Sequence, residues 1–188
     1  PAHHATQADC FGQGCMGAHD PHGLESLSSF ARVMRHLNPS FGVVNNERCT
    51  GDPARRLGND LAFGQLAEFN LENLQQSKVK KIVSICPHCV RTIGTDWKEY
   101  GQAPPIEHHS EFMARYQEQL PKPAADGPKI VYHDPCYLGR YRGVYDEPRA
   151  VINRFGTVVD PPRSRERSFC CGGGGGLACP GAAKCKAV

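Results

Sequence analysis

The chain lacks several features that would place it quickly. No apolar run approaches the ~20 residues that a spanning helix needs, and no signal-peptide pattern is visible. Neither sign of charge dominates: 22 Lys and Arg against 19 Asp and Glu leave a net charge of +3. Charge alone therefore implies neither a polyphosphate nor an anionic membrane as partner, and no nucleic-acid role is expected. Phosphate-binding signatures are also missing, since no Lys follows the glycine tract at Walker spacing and no GxGxxG occurs. There is no CxxCxxCxxxCP run either, so clusters of that type would have to lie elsewhere. The chain reads as soluble. Arg163, Arg165 and Arg167 are the one local charge cluster, either a structural loop charge or a docking patch for an acidic redox partner.

Cysteine is abundant instead, with 10 in 188 residues. Such a count means an oxidised secreted framework or a reduced metal protein. The missing signal pattern, the CxxC and CC pairs and the helix-and-strand periodicity favour the second. The expected compartment is the cytoplasm, or a membrane face open to it. Cys170-Cys171 run into five glycines, Gly172 to Gly176. Adjacent thiols suit a soft metal centre, an iron–sulfur cluster, zinc or Cu(I), and a side-chain-free backbone can come close to a bulky inorganic body. Cys10 falls outside the pattern described next and reads as an incidental thiol. His3, His4, His108 and His109 read as ordinary histidines rather than ligands.

The cysteines repeat. Cys15 and Cys49 stand 34 apart, as do Cys136 and Cys170, so one offset of 121 maps the first pair onto the second. The offset also takes Gly51 onto Gly172 and sets Thr50 against Cys171. The first copy continues to Cys86-Pro87-His88-Cys89, whose counterparts would fall at about 207 and 210, beyond Val188. The second copy is therefore incomplete.

Periodicity predicts a helix over 24–37, a strand over 41–45 and a helix over 52–76 with Leu57, Leu61, Gly64, Ala67, Leu71 and Leu74 on one face. A strand over 80–85 and a helix over 90–100 follow, then a Pro-rich connection over 101–107 and a helix over 108–119. A Pro/Ala/Gly linker at 121–128 precedes a strand over 129–133, a helix to about 155 and a strand over 157–160. Residues 1–13 show no periodicity. The class is α/β with parallel sheet character, as two tandem cysteine-rich repeats over 14–120 and 128–188. In such sheets ligands collect beyond the carboxyl ends of strands, so Cys15, Cys49, Cys86 and Cys89, all expected in loops, can meet at one point.

Four thiolates also suit tetrahedral zinc, a structural scaffold that docks partner subunits, although one small ion needs neither vicinal cysteines nor five glycines. Cys86-Pro87-His88-Cys89 has the spacing of a thiol-exchange motif, but it stands in register with Cys15 and Cys49.

Taken together, Cys49-Thr-Gly-Asp-Pro-Ala-Arg-Arg-Leu-Gly-Asn59, Cys86-Pro-His-Cys89, His133-Asp-Pro-Cys-Tyr-Leu-Gly-Arg140 and Arg163-Ser-Arg-Glu-Arg-Ser-Phe-Cys-Cys-Gly172 resemble the cysteine-rich CCG domain of heterodisulfide reductases, most of all the D-subunit branch, and of related glycolate, lactate and glycerol-3-phosphate oxidoreductase subunits. The resemblance covers about residues 14–176. It implies an iron–sulfur electron-transfer module, an oxidoreductase subunit not active as this piece alone, passing electrons between a flavoprotein or ferredoxin-type partner and a disulfide or quinone. It implies membrane attachment, if any, through another domain or subunit. A complete five-cysteine motif in the family holds a noncubane four-iron cluster. Here Thr50 replaces one cysteine, so the first copy offers four thiols, which suits a cubane 4Fe-4S cluster or a site with an open ligand. Cys136, Cys170 and Cys171 would belong to a second site.

Thr50 and the glycine backbone are candidate hydrogen-bond donors to sulfur, and His133 with Asp134 a candidate proton relay; turn and capping chemistry is the alternative for both. The chain begins with Pro and stops inside a repeat, so a longer product is expected. The last dozen residues, with Cys179 and Cys185, are expected to bind no metal.

Overall fold

The computed structural model describes residues 9–37, 40–122 and 127–174, apart from the side chain of residue 16. His3, His4, Cys179, Cys185, the stop at Asn38-Pro39 and the end of the glycine tract lie outside them.

The chain runs β1 (Asp9–Gly12), α1 (Gly14–His19), α2 (Pro21–Leu37), β2 (Phe41–Gly42), α3 (Asp52–Arg56), α4 (Asp60–Gln76), β3 (Lys81–Ser84), α5 (Pro87–Gly94), β4 (Ile106–His108) and α6 (His109–Arg115). It continues through β5 (Lys129–Val131), α7 (Gly139–Arg142), α8 (Asp146–Ile152) and β6 (Thr157–Val159). The first four strands form one parallel sheet in the order β2-β1-β3-β4, and β5 and β6 form a second parallel pair. This is the expected α/β class.

Successive residues of the central strand β3 point to opposite faces. Val83 joins Phe11, Leu27, Phe30, Met34 and Phe112 on one side; Ile82 joins Phe63, Ala67, Val90, Ile93 and Trp97 on the other. The helix α2 forms because Leu27, Phe30, Met34 and Leu37 recur on one stripe and are all buried. Val151 of α8 sits in the same apolar cluster as Phe112, so the two halves share core across the linker.

Several elements depart from the periodicity. β1 occupies a segment without a pattern because it is only four residues long, pairs on both edges and is covered on both faces. The helix expected over 52–76 is broken at Gly58, where φ is +78° and Asn59 restarts the helix by accepting from Ala62 N at 3.0 Å. Leu57 and Leu61 consequently leave the apolar face and are 67% and 76% exposed. The strand at 41–45 shrinks to two residues, the helix at 90–100 starts at Pro87 and ends in a 3₁₀ turn, Asp96–Glu99, and the helix at 108–119 likewise ends in a 3₁₀ turn, Gln117–Gln119. β4 replaces the end of the Pro-rich connection; a three-residue strand directly after Pro104-Pro105 leaves no alternation to read. No helix among the described residues is long and apolar enough to cross a membrane.

Candidate metal centre

The first four candidate thiols lie as two neighbouring pairs, Cys15 with Cys49 and Cys86 with Cys89, at the carboxyl end of the sheet. Two of them sit in helical turns rather than loops: Cys15 is the second residue of α1 and Cys89 lies within α5. Cys15 Sγ stands 3.8 Å from Cys49 Sγ. Cys86 and Cys89 share a hydrogen bond, and the charge of Cys15 reaches Cys89. Gly14 has φ of +67°, and a Cβ there would lie 3.3 Å from Cys89 Sγ, so glycine leaves open the space beside the thiols.

The thiols divide into donors and acceptors. Cys15 donates to Cys49, and with the Gly51 N–H at 3.5 Å this brings the Cys49 thiol down to about 6. Cys89 donates to Cys86, which stands just before the first turn of α5, and Cys86 is likewise brought down to about 6 by that bond. Its partner Cys89 is pushed up by that shared proton and by burial. At neutral pH each pair thus holds about one thiolate, already oriented for a soft metal. Thr50 Oγ1 points at Cys89 Sγ from 3.8 Å, and its carbonyl accepts from Trp97 Nε1 at 2.9 Å, which keeps Thr50 96% covered. Donation to sulfur is the geometry found at Thr50.

Residues outside the motifs hold these pieces together. The Glu47 carboxylate accepts from Gln13 N and Gly14 N, both at 2.9 Å, and so ties the Cys15 turn to the Cys49 segment. Asn70 accepts from Arg48 N at 3.0 Å and donates to the Cys49 carbonyl at 3.2 Å. Neither was legible in the sequence; a carboxylate two residues before Cys49 was the one available hint. Asp52 accepts from His88 Nδ1 at 2.8 Å, Arg56 Nε at 3.1 Å and Thr92 Oγ1 at 3.3 Å. Burial opposes ionisation of Asp52, but the His88 and Arg56 bonds outweigh it and hold its carboxyl below the usual range.

Cys10 stands apart, as its place outside the repeat suggested. It lies in β1, buried, beside Glu47, and burial followed by the Glu47 charge pushes its thiol up to about 12. His108 and His109 are also structural. His108 caps α6, with Nδ1 2.7 Å from Ser110 Oγ and Nε2 3.2 Å from the Ile85 carbonyl.

The second set is three thiols on one cavity wall. Cys136, Cys170 and Cys171 line a space of about 490 Å³ together with Arg56, His88 and Tyr137. Cys136 and Cys170 are within hydrogen-bonding reach, and burial followed by the Cys170 charge pushes Cys136 up. Gly172 N lies 3.4 Å from Cys170 Sγ with φ of +75°, repeating the Gly51–Cys49 bond, where φ is +89°. Cys170 and Cys171 are exposed.

His133 and Asp134 do not form a relay. The Asp134 carboxylate receives both Arg149 nitrogens at 2.6 and 2.8 Å and Arg165 N at 2.6 Å, and its carbonyl accepts from Ser168 Oγ at 2.9 Å. Its role is to clamp the basic loop that leads to Cys170. Within that loop Arg165 pairs with Asp146 at 2.6 Å, whereas Arg163 lies over the exposed Phe169 ring at 4.6 Å.

Residues 11–94 and 130–182 match the cysteine-rich domain family, CCG. The chain is 39% identical over 176 residues to the probable iron-sulfur-binding oxidoreductase FadF of Bacillus subtilis, covering 89% of this chain and 24% of the relative. It is 36% identical over 167 residues to the EtfAB:quinone oxidoreductase of Syntrophomonas wolfei, covering 87% and 23%. It is 33% identical over 175 residues to the D component of the dihydromethanophenazine:CoB–CoM heterodisulfide reductase of Methanosarcina mazei, covering 87% and 42%. The chain therefore spans less than half the length of these relatives.

Proposed function

Because the chain belongs to the cysteine-rich domain family, CCG, we propose that it is the iron–sulfur-binding, electron-transferring part of a heterodisulfide reductase-like oxidoreductase. Cys15, Cys49, Cys86 and Cys89 hold a four-iron cluster in the first repeat, over 14–120, and Cys136, Cys170 and Cys171 contribute to a second centre in the repeat that starts at 128. The observation that carries this reading is the placement of two thiol pairs, from three separate segments, beside a glycine whose missing side chain leaves them room.

When bound, such a cluster supplies reversible one-electron storage at thiolate-held iron. The residues do the rest. Cys49 and Cys86 present thiolates near neutral pH, and loading releases the protons that Cys15 and Cys89 still carry. The Gly51 and Gly172 N–H groups and the Thr50 hydroxyl donate to sulfur, which withdraws charge from it and raises the reduction potential. The donor in this reading is a flavoprotein or ferredoxin-type partner and the acceptor a disulfide or quinone. The setting is the cytoplasm or a membrane face reached through another part of the protein or another subunit.

Anaerobic purification with iron and acid-labile sulfide analysis tests this. Brown protein is expected, with Cys86→Ser losing iron and Cys10→Ala keeping it. Equal iron in the two variants would sink the ligand assignment, and zinc without sulfide would favour a structural scaffold.

A further inference from the structure

His88 sits between the two cysteines of the first CxxC, yet its ring belongs as much to the second half of the chain. One face stacks on Tyr137 with ring centroids 3.7 Å apart and planes at 21°. Tyr137 is the residue after Cys136. The Gly174 backbone also closes on the imidazole: a Cβ on Gly174 would come 2.4 Å from His88 Cε1 and 2.9 Å from Nε2. The ring's orientation is fixed from the first half, because Nδ1 is bonded to Asp52 at 2.8 Å and Asp52 is anchored in turn by Arg56 and Thr92. Arg56 reaches over as well, lying 5.7 Å from the Tyr137 ring.

We propose that His88 is the joint between the two thiol sets: a positioning residue that fixes the Cys136 turn through Tyr137, and the segment after Cys171 through Gly174, against the turn carrying Cys86 and Cys89. Three features meet on one imidazole. A flat stack needs an aromatic partner at 137, a close backbone approach needs glycine at 174, and a fixed ring plane needs the Asp52 carboxylate. This gives at least one residue of the tract a task that the thiols next to it do not explain. The joint rests on the reading of the two thiol sets as ligand sets, but its geometry is a property of the polypeptide alone.

The test uses the full chain, reduced and iron-free, with amide hydrogen exchange read by mass spectrometry. Tyr137→Leu should speed exchange in 136–143 and 168–174 by about fivefold, with 81–94 unchanged, and Tyr137→Phe, which keeps the ring, should stay within about twofold of the parent. Gly174→Ala should act in the same direction on 168–174. The double variant His88→Ala with Tyr137→Leu should open these segments no further than the more severe single, because both remove one contact. On iron-reconstituted chain, Tyr137→Leu should alter only the EPR signal that is lost with Cys136→Ser. Unchanged exchange in Tyr137→Leu, equal loss in Tyr137→Phe, or faster exchange spread evenly over β3 and α5 would each overturn the joint. Failure to take up iron would instead sink the cluster reading and leave the exchange result standing.

Discussion

Replacing Asp134 by Ala should cost about 3 kcal/mol of folding stability and loosen the segment that carries Cys170. Asp134 is 1% and Arg149 7% exposed, and they share two bonds of 2.6 and 2.8 Å. Removing one partner of a buried pair costs roughly 3–5 kcal/mol, because the other charge is stranded. Arg149 is not wholly stranded: Asp160, half in solvent, still accepts at 2.6 and 3.0 Å, and the Tyr145 carbonyl accepts at 2.7 Å. That places the loss at the low end of the range. Asp134→Asn keeps the shape and one acceptor oxygen, so about half of the loss is expected. The double change Asp134→Leu with Arg149→Met strands no charge and should be less harmful than Asp134→Ala alone. Urea unfolding followed by circular dichroism at neutral pH gives the three values. Acid supplies a sign test. Burial opposes ionisation, but Arg149 and Arg165 hold the folded carboxyl below its ordinary 3.8, so the stabilisation is complete above 3.8 and fades as pH falls through the lower folded value. The Asp134→Ala deficit should shrink there. A loss below about 1 kcal/mol, or a double variant as unstable as the sum of the singles, would refute the clamp.

Acid should also destabilise the parent through His108 and His109. Burial, helped at His108 by the charge of its neighbour, brings them down to about 3 and about 4 from 6.5, so their contribution is full above pH 6.5 and declines as pH falls, by about 2 kcal/mol per imidazole at pH 5, measured by urea midpoints against His108→Gln. Gly51→Ala places a Cβ 2.7 Å from Phe63 at φ of +89° and should cost about 2–3 kcal/mol, whereas Gly58→Ala, with φ of +78° but nothing within 4 Å, should cost about 1; thermal melts compare them. Thr50→Cys restores the second adjacent thiol of the first copy under Trp97 and should alter the EPR signal of the first centre alone, with iron content unchanged. An unaltered spectrum would mean that the missing thiol does not distinguish the copies.

Much of the fold was legible because its longer elements carry period and punctuation. The buried stripe of α2, the strand leading to Cys86 and the Pro that starts α5 are all local signals. β1, β4 and α7 were not legible, being three or four residues long, so their identity comes from the neighbours they pair with or pack against. The thiols themselves stand out by spacing. Their supports do not, because Glu47, Asn70 and Asp52 reach partners 21–40 residues away, Arg56 beside Asp52 excepted, and no short window of sequence contains both ends. The Leu57 and Leu61 error has the same origin: one glycine with positive φ rotates the helix that follows, and periodicity counted across it assigns the wrong face.

The two copies share more than their cysteines. The offset that maps Cys15 onto Cys136 also maps Gln13 and Glu47 onto Asp134 and Ser168, and each copy bonds that pair of positions. In the first copy a carboxylate accepts from the backbone; in the second a hydroxyl donates to it. The strand end is thus sewn to the thiol-bearing segment at the same two points, and Gly51 and Gly172 then turn an N–H onto the same sulfur. In the first copy α5 and the 3₁₀ turn after it set Cys89 and Trp97 against Thr50 and bury it. That buried position beside the thiols is well served by a hydroxyl that donates to sulfur.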